Sequence, residues 1–152
     1  MSDLKYFKEN SHSKSYIGVL VNPCFYAVLL YRLSNQLYRY KLSIFAKLVW
    51  FINRVVFSVD IDYRAKIGNN FMLIHGLGTV IGCDVKIGNN VKVYQGVTLG
   101  GCGKIRHENG EILTQPIIGD DCIIYTNACI FGPVKIKSNA RIQACKVILE
   151  DI

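Results

Sequence analysis

From Val59 onward, the chain takes up a six-residue rhythm of bulky aliphatic residues. Ile118, Ile124, Ile130, Ile136, Ile142 and Ile148 follow one another without a break, and Ile81, Ile87, Val93 and Leu99 keep the same step earlier in the chain. A period of six matches neither 3.6 nor an integral helical face, and a spacing fixed through six consecutive repeats disfavours a simple meander. No six-residue unit can bury its own aliphatic side chain. Stacked coils bury all of them in one column, each worth about 1.5–3 kcal/mol when fully enclosed, so the spacing predicts a solenoid. The positions two residues earlier are Pro116, Cys122, Ala128, Val134, Ala140 and Lys146, mostly small enough to sit beside the column. Gly68-Asn69-Asn70 and Gly88-Asn89-Asn90 supply residues that turn corners readily.

Two departures interrupt the register. Ile67 and Leu73 are six apart, but the step from Leu73 to Ile81 is eight, within FMLIHGLGTVIG, and His75 stands at the break. A strict repeat with one such bulge marks a place where a side chain is presented. The second departure, Gly100 to Gln115, is too polar and glycine-rich to continue the column and reads as a loop thrown out from it. Loops on a rigid scaffold are where binding residues tend to sit.

Ahead of the repeat, residues 1–14 read as a loosely packed leader. Asn22-Pro23 then starts a helix running to about Tyr40, with Phe25, Leu29, Leu33 and Leu37 as its burying stripe. A second helix, Leu42 to Phe57, carries Ile44, Phe45, Leu48, Phe51, Ile52, Val55 and Val56 on one broad apolar face. That face is expected against the main domain, a neighbouring subunit or a membrane surface. The expected division is therefore 1–57, a leader and two-helix segment, and 58–152, a mainly β solenoid with a protruding loop at about 100–115.

The net charge of +7 is concentrated in residues 1–57, which hold +6 of it. Nucleic-acid binding is not expected, because no known binding module accompanies that charge. The six cysteines form no C-x-x-C pair and no Cys/His zinc spacing, so no metal is expected. The polar start lacks a signal peptide's pattern, and the uncharged run Ser15 to Tyr31 is short and holds a proline. The expectation is a cytoplasmic protein, with the basic helices suited to the inner face of an anionic membrane.

The motifs VDIDYRAKIGNNFMLIHGLGTVIG, VKVYQGVTLGG and PIIGDDCIIYTNACIFGPVKIKSNARIQA, with NPCFYAVLLYRLSNQLY before them, resemble the serine acetyltransferase branch of the hexapeptide-repeat acyltransferases. The resemblance covers about 130 residues and implies a left-handed parallel β-helix, a homotrimer with its sites between subunits, and acetyl-CoA as co-substrate. Carried over position by position, it implies that His75 takes the proton from an acceptor hydroxyl and that Asp60 orients it. Imidazole titrates near neutrality, as such a base must. Gly100 and Gly101 of the LGG motif match the backbone near the thioester, Thr126 to Ala128 the pantetheine lining, and Arg141 a basic residue near CoA phosphate. Asp60 also fits a corner residue bonding its own backbone, and Arg141 a solvated charge.

Against the resemblance, Ile74 stands where the serine enzymes have an acidic residue, and Thr114-Gln115 where they have Arg-His. The missing charges, together with a shorter helical part, lead to the expectation of a carbohydrate acceptor. That means an O-acetyltransferase of capsule or exopolysaccharide synthesis, working on a lipid-linked glycan at the membrane. His107 could then take the place that Gln115 leaves vacant, or be an exposed loop histidine. Two other readings remain open: serine acetyltransferase itself, and a non-catalytic scaffold that keeps the repeat for assembly.

Overall fold

The computed structural model describes residues 2–11 and 14–152. From Asp60 the chain winds as a parallel β-helix whose coils each contribute one short strand to three sheets. The first sheet stacks β1 (Asp60–Ile61), β4 (Val80–Ile81), β7 (Thr98–Gly100), β12 (Cys129–Phe131) and β15 (Val147–Ile148). The second holds β2 (Lys66–Ile67), β5 (Lys86–Ile87), β10 (Ile117–Ile118) and β13 (Lys135–Ile136). The third holds β3 (Met72–Ile74), β6 (Lys92–Tyr94), β11 (Ile123–Ile124) and β14 (Arg141–Ile142). The winding is left-handed, as in the solved structures it matches.

The six-residue rhythm is the register of this stack. Ile61 lies on Ile81, Ile81 on Leu99, Leu99 on Ile130 and Ile130 on Ile148. Val93 and Ile142 flank Ile124 in the third sheet. Nearly all these side chains are buried, and the small residues Cys122, Ala128 and Ala140 are buried beside them.

Between the second and third sheets the corner is turned by Asn70, Asn90, Asp121 and Asn139, all at φ between 57° and 66°. Their short polar side chains tolerate the left-handed region. At the start of the same corner Gly68, Gly88 and Gly119 stack so closely that no side chain fits. A Cβ at Gly88 would lie 2.9 Å from both Asp120 N and the Gly119 carbonyl carbon. Gly88→Ala is accordingly expected to lower stability by about 1–3 kcal/mol through overpacking, measured by urea unfolding. Gly100→Ala, where the added carbon meets only Phe131 at 4.0 Å, should change stability little.

The N-terminal segment departs from the sequence reading in three ways. The stretch taken as a loose leader contains α1 (Ser2–Asn10), packed on the domain: Phe7 is fully buried, and its ring meets Phe25 edge-on at 5.6 Å. Asp3 accepts from Arg32 Nε at 2.9 Å and from Phe71 N at 3.0 Å, and Tyr6 donates to Asn90 O. A short α2 (Tyr16–Leu20) follows.

The second departure is the face of α3 (Pro23–Arg39). It buries Cys24, Ala27, Val28, Tyr31 and Ser34, while Leu29 and Leu33 stay about half exposed. Small residues let the helix come close enough for Tyr31 Oη to reach Ala65 O at 2.8 Å and for Asn35 Nδ2 to reach Tyr63 O at 2.8 Å. The leucine stripe is too bulky for that contact. The third departure is α4 (Ser43–Phe57), which buries only Ala46 and Asn53 and turns its broad apolar face outward. No helix among the described residues is long and apolar enough to cross a membrane.

Candidate active site

His75 ends β3 in the left-handed conformation, φ 64°, followed by Gly76 at 54° and Gly78 at 71°. A bulky residue avoids this region unless its surroundings over-determine it. Here the bonds Leu77 N to His75 O, Thr79 N to Gly76 O, Gly78 N to Ser58 O and Gly96 N to Leu77 O hold the turn to the coils on either side. The two extra residues leave the column as a tight turn, and His75 is exposed on it. Behind it lies an apolar recess of about 190 Å³ lined by Cys24, Ala27, Val56, Phe57 and Val59. Burial pushes the Cys24 thiol above its ordinary value, opposed by its hydrogen bond to the His75 backbone.

Asp60 opens β1, and its backbone N–H donates to Thr79 O, the residue that closes the histidine turn, at 2.9 Å. Its carboxylate is held from α4. Trp50 Nε1 donates to Oδ1 at 2.9 Å, and Arg54 stands 3.3 Å from Oδ2. Among the described residues no hydrogen bond joins Asp60 to His75. The reading of the sequence missed Trp50 and Arg54, although their spacing of four puts both on one helical face.

Thr126 and Ala128 lie on the same edge as His75, two coils further along. Asn127 N bonds to Gln95 O, and Gly96 N in turn to Leu77 O. Arg141 is exposed on β14 of the third sheet. Ile74 is partly buried and packs on the core at the end of β3; outward from it on the next coils come Tyr94 and Tyr125, whose rings are 5.2 Å apart.

Gly100, Gly101, Thr114 and Gln115 belong to a different edge, across the first sheet from His75. Gly100 ends β7, and Gly132 N donates to its carbonyl at 2.9 Å. Gln115 lies over Gly82 and accepts from Asp84 N at 3.3 Å, while Thr114 donates to Asp84 Oδ2 at 3.1 Å. The excursion leaving this edge is a hairpin of β8 (Arg106–Glu108) and β9 (Glu111–Leu113), turned at Asn109-Gly110 with φ 49° and 78°, a favoured hairpin turn. It is tied down by Arg106 to Asp151 at 2.8 Å and by Lys135 to Glu108. The backbone N–H of Lys135 and then Arg106 hold the Asp151 carboxyl below its usual range. His107 is exposed on the hairpin. One chain thus brings Asp60, Thr126 and Ala128 to the His75 edge, and leaves Gly101, Gln115 and His107 away from it.

No family model matches the chain. It is 38% identical over 147 residues to the serine acetyltransferase of Bacillus licheniformis, covering 96% of this chain and 66% of that protein. With the serine acetyltransferase of Staphylococcus aureus it shares 35% over 96% of this chain and 67% of the relative. Among solved structures, the Neisseria gonorrhoeae serine acetyltransferase superposes with a TM-score of 0.88 at 35% identity, over 99% of this chain and 58% of that one. The soybean serine acetyltransferase complexed with serine gives 0.88 at 33%, over 99% and 61%. The chain spans about two thirds of the length of the curated relatives it matches.

These likenesses overturn the expectation of a carbohydrate acceptor and of polysaccharide synthesis. The relatives matched along nearly the whole chain carry the serine enzymes' name. The expectation took Ile74 and Thr114-Gln115 as the loss of a charge clamp. In the fold, however, Thr114 and Gln115 line one recess with Arg64, Lys66, Asp84 and Lys86, charged residues that are distant from them in the linear sequence. Neutral residues at two positions therefore do not make an uncharged site.

Proposed function

We propose, because this chain belongs to the serine acetyltransferase family, that it transfers the acetyl group of acetyl-CoA to the hydroxyl of serine. The observation that carries the reading is the likeness along 96% of the chain to serine acetyltransferases. Relatives of the same fold are described in complex with CoA and with serine, and the eight-residue turn of the column carries an exposed histidine.

In this reading His75 removes the serine hydroxyl proton as the oxygen attacks the thioester carbonyl carbon. The carbonyl oxygen becomes an oxyanion, which the Gly101 amide stabilises. The C–S bond then breaks, and the CoA sulfur leaves as a thiol with the proton returned from the imidazolium. Asp60 orients the ring. Gly100, Thr126 and Ala128 line the donor, with Arg141 toward its phosphates, while Ile74, Gln115 and His107 border the acceptor. Because the His75 edge and the Gly101 edge lie apart on one chain, the site is completed between neighbouring copies of a homotrimer.

The test is release of free CoA thiol from acetyl-CoA, with serine and with a panel of sugars and oligosaccharides. Serine-dependent release is expected, with the sugars at background. Release with sugars and none with serine would overturn the acceptor, and no release with any acceptor would leave the non-catalytic scaffold as the better account.

A further inference from the structure

We infer that α4 is a positioning element of the reaction, acting through Trp50 and Arg54, which fix the Asp60 carboxylate in the orientation that His75 requires. The inference rests on the reading of His75 and Asp60 as the proton-transferring pair, and adds two residues to it.

The geometry is specific. Trp50 and Arg54 sit one turn apart on α4 and divide the carboxylate between them, the indole N–H taking Oδ1 and the guanidinium facing Oδ2. The two also hold each other, with the guanidinium carbon of Arg54 5.6 Å from the Trp50 ring centroid. A carboxylate has about four lone-pair sites. With one on Oδ1 engaged by the indole, the Arg54 guanidinium 3.3 Å from Oδ2, and the Asp60 backbone bonded to Thr79 of the histidine turn, the carboxylate is oriented relative to that turn. A carboxylate free to rotate would spend much of its time aimed elsewhere.

A purely structural account fits poorly. The Arg54 side chain is 57% exposed, and exposed ion pairs contribute little stability. The helix buries only Ala46 and Asn53, and it is tied to α3 by Asn53 Nδ2 to Ala27 O at 3.0 Å, independently of Asp60. The indole N–H instead orients a carboxylate on the strand to which the histidine turn is bonded. The other ionisable groups nearby do not compete for Asp60: Asp62, two residues along, is held by Arg64, and the Cys24 thiol meets the His75 backbone.

The experiment uses Trp50→Phe, which removes the N–H and keeps the ring packing, and Arg54→Gln, an exposed change that leaves the fold intact. Each is measured as kcat and KM for both substrates. The expected result is a fall in kcat of about tenfold for Trp50→Phe, as for loss of one hydrogen bond to a charged group, with KM for acetyl-CoA within about twofold. Arg54→Lys should restore most of what Arg54→Gln loses. In an Asp60→Asn background neither substitution should lower kcat further, because all three act through one carboxylate. Trp50 is the chain's single tryptophan, so its fluorescence emission should also shift on Asp60→Asn without any assay of turnover.

An unchanged kcat in Trp50→Phe and Arg54→Gln, with Asp60→Asn impaired, would overturn the role of α4 alone. So would multiplicative losses in the double variants, or an emission spectrum indifferent to Asp60→Asn. Full kcat in Asp60→Asn would instead remove the Asp60 reading on which the inference stands, and the inference with it.

Discussion

Replacing His75 with alanine should lower kcat by about 10² to 10⁴, the range that general-base catalysis contributes, while leaving acetyl-CoA affinity near its original value. The side chain points into solvent from an otherwise closed turn, so its loss opens no cavity. The backbone is the complication. At φ 64° alanine is strained where histidine is held in place. His75→Asn separates the two effects, because asparagine tolerates the left-handed region and offers no comparable base. Equal losses in both variants, by steady-state kinetics with serine, would assign the effect to the imidazole. Activity retained in the asparagine variant would remove His75 from the chemistry.

The second large effect concerns the column. Ile124 is fully buried in the middle of the third sheet, between Val93 and Ile142. Ile124→Ala should destabilise by about 2–5 kcal/mol, since stacked coils have little freedom to collapse into the space. Ile148, on the last strand, is only partly buried, and Ile148→Ala should lose less than half as much. The comparison is made by denaturant unfolding at one protein concentration, because association would add to the apparent stability. Equal losses at the two positions would mean that the ends of the column are as constrained as its centre.

The repeat was legible because a solenoid is built from local periodicity. Ile118 to Ile148 state their burial individually, and each statement is repeated by the next coil. His75 was legible as a break in that periodicity, and the asparagine corners through residue type. The helical segment was not legible in the same way. Which face of α3 docks depends on the shape of the surface it meets, and there Ala27 and Ser34 fit where Leu29 and Leu33 do not. The tie from Trp50 and Arg54 to Asp60 crosses from a helix to a strand, and no periodicity reports that. The acceptor was misjudged for a related reason: Ile74 and Thr114-Gln115 were read along the chain, while Arg64 and Asp84 come beside Gln115 only through the winding of the coils.

The register has a consequence for how such a chain can change over generations. Ile81 to Leu99 spans 18 positions and Leu99 to Ile130 spans 31, yet the three stack as neighbours. Everything gained in the longer interval left at one edge and returned to it. Closing a longer excursion becomes costlier only logarithmically, by about 0.6 kcal/mol per doubling, so the hairpin segment can lengthen, shorten or be exchanged while every rung keeps its place. The histidine turn has no such latitude, because its few residues are bonded to coils on both sides. A lineage built on this scaffold can rewrite one edge and inherit the other intact.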